Sequence, residues 1–399
     1  MKIDRRARAR PAPPRVALVI ETSTSFGRKL HCGVAAYIRE NGPWSVYFGE
    51  RAVFDPPPDW LKRWSGDGII SRIASPDIRR IVKASRVPVV DLNEQLGDLG
   101  APQISIDHAA VGRMAAQHLL ERGFTRFGFL GHVGQRLSER RRDAFAAEAR
   151  AAGFECDDYK GRPIDLRALR QGSWELELDR IAKWVAGLPQ PVGILACHDF
   201  RALQLLAACR LADVATPEQA AVIGVGADDV ACELADPPLS SVVLNAWRMG
   251  YEAAAQLDRL MKGERPTARE VLIPPLEVAA RQSTDVTAIG DPVVARAMRF
   301  IRERACEGVN VEEVVRSVGM SRTALQDHFR ATLGRSIHDV VVETRIARVR
   351  ELLGETTLSL QDIAERTGFK YPEYMSSVLK QRTGWTPARY RAEHGARRE

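Results

Sequence analysis

The chain has 399 residues, 45% of them apolar, and a formal net charge of +7 at pH 7. That length accommodates two or three domains with sizeable cores. No apolar run approaches the roughly 20 residues that cross a bilayer, which excludes a protein built on membrane-spanning helices. Cys32, Cys156, Cys197, Cys209, Cys232 and Cys306 form no CxxC pair and have no histidine at zinc spacing, so the sequence predicts reduced thiols, no metal and no other cofactor. Charge is unevenly spread: residues 292–399 hold 19 Lys/Arg against 14 Asp/Glu, residues 1–15 hold 6 against 1, and the middle is slightly acidic. A basic module at the end of the chain fits a polyanion partner.

Residues 1–14 (MKIDRRARARPAPP) are basic and proline-rich without apolar periodicity, which predicts a disordered tail. The tail lacks the apolar stretch of a secretory signal, so a cytoplasmic location is expected. From Arg15 the pattern changes to buried strands alternating with amphipathic helices. Strands are predicted at 15–20, 44–49, 68–71, 87–92, 104–106, 126–130, 193–197 and 221–225. Helices are predicted over 33–40, 109–121, 139–152, 177–186, 202–210 and 247–262. Such alternation implies parallel βαβ units, and two runs of it over residues 15–280 predict an α/β domain of two lobes around a cleft. Ligands of open α/β sheets bind at the carboxyl ends of strands. Glu21, Ser23 and Phe26, just past the first strand, offer hydrogen-bonding groups and an aromatic face to a ligand there.

Residues 281–291 (RQSTDVTAIGD) are polar and aperiodic and read as a linker. An all-α module follows over 292–399, beginning with a helix at 293–304. Asn310 with Glu313 and Ser359 with Asp362 are helix-start pairs. Each opens a short helix ended by a glycine turn, Gly319 or Gly368, and followed by a second helix. The pattern repeats: Val314, Val315 and Gly319 stand 49 positions before Ile363, Ala364 and Gly368, and Leu325 and Phe329 stand 50 before Met375 and Leu379. Two helix-turn-helix units in one chain predict two helices for successive major-groove segments of double-stranded DNA. With Leu325 and Phe329 inward, Arg322, Thr323, Gln326, Asp327 and Arg330 point outward. In the second unit Lys370, Glu373, Ser376, Ser377 and Lys380 do. Arg322 and Gln326 suit base edges, and Lys370 and Lys380 suit phosphates. A long helix over 345–353 is expected to fix the spacing of the units. There is no glycine-rich phosphate loop and no G-x-S-x-G elbow, which argues against an enzyme.

The C-terminal segment resembles the DNA-binding domain of the AraC family, through Ile363-Ala364, Gly368-Phe369, Lys380, Gly384, Thr386-Pro387 and Tyr390-Arg391. Met375 and Leu379 stand where that family usually has Phe, and Asp327 where it often has a basic residue. Upstream, HLLERGFTRFGFLG, ERRRDAF, ACHDFRAL, AAVIGV and DPPLSSVVLNAWRMGYEAAAQL resemble the effector domain of the LacI family, which shares its fold with periplasmic sugar-binding proteins. The two resemblances together cover most of the chain. They imply a ligand-responsive transcription regulator, with an activating sign, a pentose effector, a homodimer, operator DNA and RNA polymerase as partners. The LacI resemblance also implies sugar contacts for Arg141, for Asp199 with His198 in place of the family's Asn, and for Asn245. Surface salt bridging for Arg141 and strand capping for Asp199 are the plainer alternatives. The family's Asp after the VIGV strand is replaced here by Gly226. Either Asp228 supplies that carboxylate, or the ligand differs, or affinity is weak.

Overall fold

The computed structural model describes residues 12–53, 55–73, 75–92, 100–161, 177–285, 291–356 and 358–394. Most of the predicted basic tail and the middle of the predicted linker lie outside the described residues. The chain forms two compact units. The first comprises the residues up to Leu188, Val192–Ala212 and Val222–Asp285, and the second comprises Pro189–Pro191, Asp213–Ala221 and the residues from Val286 on.

Within the first unit two sheets form two lobes. One holds β1 (Arg15–Val19), β2 (Ser45–Tyr47), β3 (Gly68–Ser71), β4 (Val89–Asp91), β5 (Gln103–Ile106) and β11 (Glu270–Ile273), in the order β11-β5-β4-β3-β1-β2. The other holds β6 (Phe127–Leu130), β7 (Cys156–Asp158), β8 (Val192–Ala196), β9 (Ala220–Val225), β10 (Ser240–Val242) and β12 (Val278–Ala279), in the order β12-β10-β9-β8-β6-β7. Pairing is parallel except at the edge, where β12 runs antiparallel to β10. Helices cover both faces, so central strands read as unbroken apolar runs: every residue of β8 and β9 is buried.

The helices are α1 (Ser25–Asn41), α2 (Pro76–Ala84), α3 (His108–Leu120), α4 (Arg136–Ala151), α5 (Leu178–Gly187), α6 (Asp199–Leu211), α7 (Asp229–Leu234) and α8 (Ala246–Met261). Helix α1 starts eight residues before the predicted 33, because the Thr24 hydroxyl accepts the Gly27 N–H (3.0 Å) and caps a serine- and glycine-rich first turn. The sequence pattern also missed α2, α7 and the strands β7, β10, β11 and β12.

The predicted linker begins too early. Ser283 and Thr284 are fully buried, Ser283 Oγ donates to Val222 O (2.6 Å), and Ser240 N–H donates to Ser283 Oγ (2.8 Å). These short polar residues satisfy one another inside the first unit, which therefore extends to Asp285. Polarity alone had marked them as linker.

The second unit contains α9 (Pro292–Arg304), α10 (Val311–Val318), α11 (Arg322–Leu333), α12 (Ile337–Glu355), α13 (Leu360–Arg366), α14 (Pro372–Thr383) and α15 (Pro387–His394). It also gathers the Asp213–Ala221 segment, where buried Glu218 pairs with Arg302 of α9. The internal repeat is reproduced at its caps: both Asn310/Glu313 and Ser359/Asp362 form reciprocal capping boxes. Gly319 and Gly368 take left-handed φ angles of 71° and 74° in the two turns, a conformation that costs other residues energy. Helix α12 is longer than the predicted 345–353. Its first turns (Ile337, Val340, Val341) enter the core of the first repeat, and its later turns (Ile346, Val349, Leu353) enter the core of the second. One rigid rod of 19 residues, about 28 Å long, thus sets the separation of the two repeats.

Candidate functional site

The carboxyl ends of the strands in both lobes carry polar groups anchored by helix starts. In the first lobe Glu21 is almost fully buried and pairs with Arg72, whose guanidinium lies 5.2 Å from the centroid of the Phe26 ring. Ser23 is exposed on the same turn, and Thr22 and Ser23 donate their N–H groups to Arg51 O (2.9 and 3.3 Å). Acceptor, donor and aromatic face therefore stand together, a combination suited to a polyol.

In the second lobe Arg141 is buried. Its Nη1 donates to Cys197 O, and its Nε donates to His108 Nδ1 (3.2 Å), joining the end of β8 to the start of α3. His198 caps α6, its Nδ1 accepting Arg201 N–H (3.1 Å). Asn245 caps α8 in the same way, through Arg248 N–H (3.1 Å). Burial, with Arg141 beside them, holds the imidazoles of His108 and His198 neutral, with pKa values lowered to about 2 and about 3.

Asp199 and Asp228 are both held by protein partners. Asp199 is 2% exposed and uses both oxygens inside its own lobe, accepting Ser241 Oγ (2.6 Å) and Asp228 N–H (2.8 Å). Burial raises its pKa, against the pull of those two hydrogen bonds. The space it fills is the space at Gly226: a Cβ there would lie 2.9 Å from Asp199 Oδ2, on a backbone with φ of +130°. A side chain at 226 would therefore have to displace the Asp199 carboxylate, on a backbone already strained for any residue but glycine. Asp228 is engaged by protein groups on both sides. It caps α7 through Ala231 N–H (3.1 Å) and reaches across to the first lobe, accepting Ser25 Oγ (3.0 Å) and Ser25 N–H (3.4 Å). Burial alone would raise its pKa, but those hydrogen bonds outweigh it and hold the carboxyl below the usual range. Lys29 and Asp229 (3.5 Å) add a second, exposed contact between the lobes. His132, which the sequence reading missed, follows β6 and sits 2.9 Å from His198, Nε2 to Nε2.

In the second unit the outward face of α11 carries Arg322, Thr323, Asp327 and Arg330, all exposed. Arg322 pairs with Glu312 (2.6 Å). Gln326 departs from its predicted place. It is half-buried, and its Oε1 accepts Ile337 N–H (3.4 Å), so it ties α11 to the start of α12 rather than facing outward. On α14 and the turn before it Lys370, Glu373, Ser377 and Lys380 are exposed, and Ser376 is half-buried. Tyr371 and Tyr374, 56% and 52% exposed, belong to the same surface and were not singled out from sequence. The Lys370 ammonium lies 5.3 Å from the Tyr371 ring centroid. Exposed aromatics at a helix start, next to lysines, were the available signal: they can pack on thymine methyls while the lysines neutralise phosphate. Arg382 of α14 pairs with Asp339 of α12 (2.9 Å), bracing the second reading helix on the rod.

A two-lobed sensor followed by paired helix-turn-helix units defines a sugar-sensing, DNA-binding transcription regulator. Its parts match family models described as XylR N-terminal domain (residues 15–98), periplasmic binding protein-like domain (116–284) and helix-turn-helix domain (314–393). The xylose operon regulatory protein of Escherichia coli K12 is 32% identical over 390 residues, 94% of this chain and 96% of the relative, so the chain belongs to the xylose operon regulatory protein family. The Haemophilus influenzae member is 29% identical over 94% of this chain and 98% of its own length. A solved structure of the xylose-binding transcription activator XylR superposes with a TM-score of 0.83 at 30% identity, covering 96% of this chain and 99% of that one. The regulator CcpA of Lactococcus lactis shares the fold of the sensor, at 19% identity and a TM-score of 0.53, over 69% of this chain and all of that one.

Proposed function

We propose that the chain is a sugar-responsive activator of pentose catabolism genes, with D-xylose as the effector. The near-full-length likeness to the xylose operon regulators carries this reading. The chemistry of the cleft supports it. Glu21 offers acceptors, Arg141 and Arg72 offer donors, and Phe26 offers an apolar face. His108 and His198 are neutral, which suits an uncharged polyol. Sugar in the cleft favours the closed lobes only in so far as it binds them more tightly than the open ones. The Ser25–Asp228 hydrogen bonds then act as a latch that closure completes. In a homodimer, closure alters how the paired reading helices meet operator DNA and RNA polymerase. The protein works in the cytoplasm and turns over no substrate.

Selection of binding sites from a randomised duplex pool, with and without D-xylose, tests this reading. It predicts one preferred sequence with two elements about one helical turn apart and an affinity that changes with the sugar. Indifference of the selected DNA to every sugar tried would contradict it. On the selected duplex, Lys370→Ala and Lys380→Ala should each weaken binding without changing sequence preference. Each should reduce the slope of log affinity against log salt by about 1, as loss of one phosphate contact requires. Arg322→Ala should instead cost about 1–3 kcal/mol and relax preference at one position.

A further inference from the structure

We propose that His132, Cys197 and His198 form a site for a transition-metal ion of the zinc class in the second lobe of the sensor. Sheet register brings them together. Strands β6 and β8 lie side by side with Leu130 opposite Ala196, and Cys197 N–H donates to Leu130 O (3.0 Å). The residues that follow the two strands are therefore neighbours, although they are far apart in sequence. The imidazole nitrogens are 2.9 Å apart, and one ligand atom from each residue, the Cys197 sulfur included, lies within 4.8 Å of the others. Donors around one tetrahedral zinc lie roughly 3.3–3.6 Å apart. The nitrogens need to part slightly and the sulfur to close in by about 1 Å. Two imidazoles and a thiolate select zinc-like or softer ions over magnesium or calcium.

The protonation pattern fits the ion as well. His198 Nδ1 accepts Arg201 N–H, so its proton is on Nε2 and is donated to His132 Nε2. The His132 proton is then on Nδ1, which is buried with no partner. His132 already has the tautomer that ligates through Nε2. For His198 to ligate, its proton moves to Nδ1, and Arg201 N–H keeps the bond it also makes to His198 O (3.0 Å). The Cys197 thiol, fully buried, gives up its proton to the ion's charge. One proton is released per ion bound. Sequence spacing could not show the site, because its ligands are assembled by register across two strands rather than along one turn.

Calorimetry of the full chain, stripped of metal and free of sugar, tests the proposal with Zn²⁺ and Co²⁺ in two buffers of different ionisation heat. The expected result is one ion per chain, one proton released, and a thiolate-to-cobalt charge-transfer absorption. Cys197→Ser should abolish that absorption, and His132→Gln should weaken binding at least ~10-fold. Circular dichroism of both variants should match the parent. If His132→Gln fails to fold, Cys197→Ser, a change of one atom, still decides the question. No saturable binding overturns the site. So does an absorption that survives Cys197→Ser, which exposed Cys32 would produce.

Discussion

Gly226→Asp will destabilise the sensor by about 3 kcal/mol or more, even though it restores the residue that related effector domains carry after this strand. Two costs add. The backbone at 226 has φ of +130°, where side chains are strained, and the new Cβ would lie 2.9 Å from Asp199 Oδ2. The new carboxylate would also face one that burial already pushes toward protonation. Urea unfolding of the full chain followed by tryptophan fluorescence should show an earlier transition for the variant. Gly226→Ala should cost less than Gly226→Asp, because it keeps the backbone strain and the close Cβ but adds no carboxylate beside Asp199. An unchanged midpoint for Gly226→Asp would mean that Asp199 does not occupy the space described.

Mild acid will destabilise the sensor by several kcal/mol. His108 and His118 are 9% and 8% exposed, and burial, reinforced by neighbouring arginines, lowers their pKa values to about 2 and about 4. Once unfolded, both take up a proton near pH 6.5. Below that value the unfolded state binds more protons than the folded one, so stability falls as pH falls toward the folded values. Between pH 7.5 and 5 each residue removes about 2 kcal/mol. His118 also fastens the turn at 282–284 to α3, through Thr284 Oγ1 (2.8 Å). His118→Gln keeps a donor there without a titrating group, and should remove about 2 kcal/mol of the loss between pH 7.5 and 5, about a quarter of what His108, His118, His132 and His198 contribute together. A parent protein equally stable at pH 5 and pH 7.5 would contradict the buried neutral state of these rings.

The alternation of apolar runs with amphipathic stretches made the two-sheet sensor legible, because parallel strands covered on both faces have no polar side to disguise them. The starts and turns of the paired helix-turn-helix units were legible, since capping boxes and glycine turns are local in sequence. What failed was local reading of polar residues whose partners are distant. Ser283 and Thr284 looked like linker but close a buried network with Ser240 and Val222. Gln326 sits one helical turn before Arg330, but the start of α12 captures it. Asp228 meets Ser25 from the other lobe, 203 residues away, a partner no local pattern could announce. His132 carried no signal until the register of β6 and β8 set it beside His198.

In the proposed function, a sugar closes the cleft of this sensor. Calorimetry of the full chain against D-xylose and a panel of other pentoses and hexoses tests it most directly, with Arg141→Ala as the control. Saturable heat is expected for D-xylose at one sugar per chain, lost in the variant, whose circular dichroism shows it folded. Silence across the panel from folded parent protein, or D-xylose binding that Arg141→Ala leaves untouched, would contradict it.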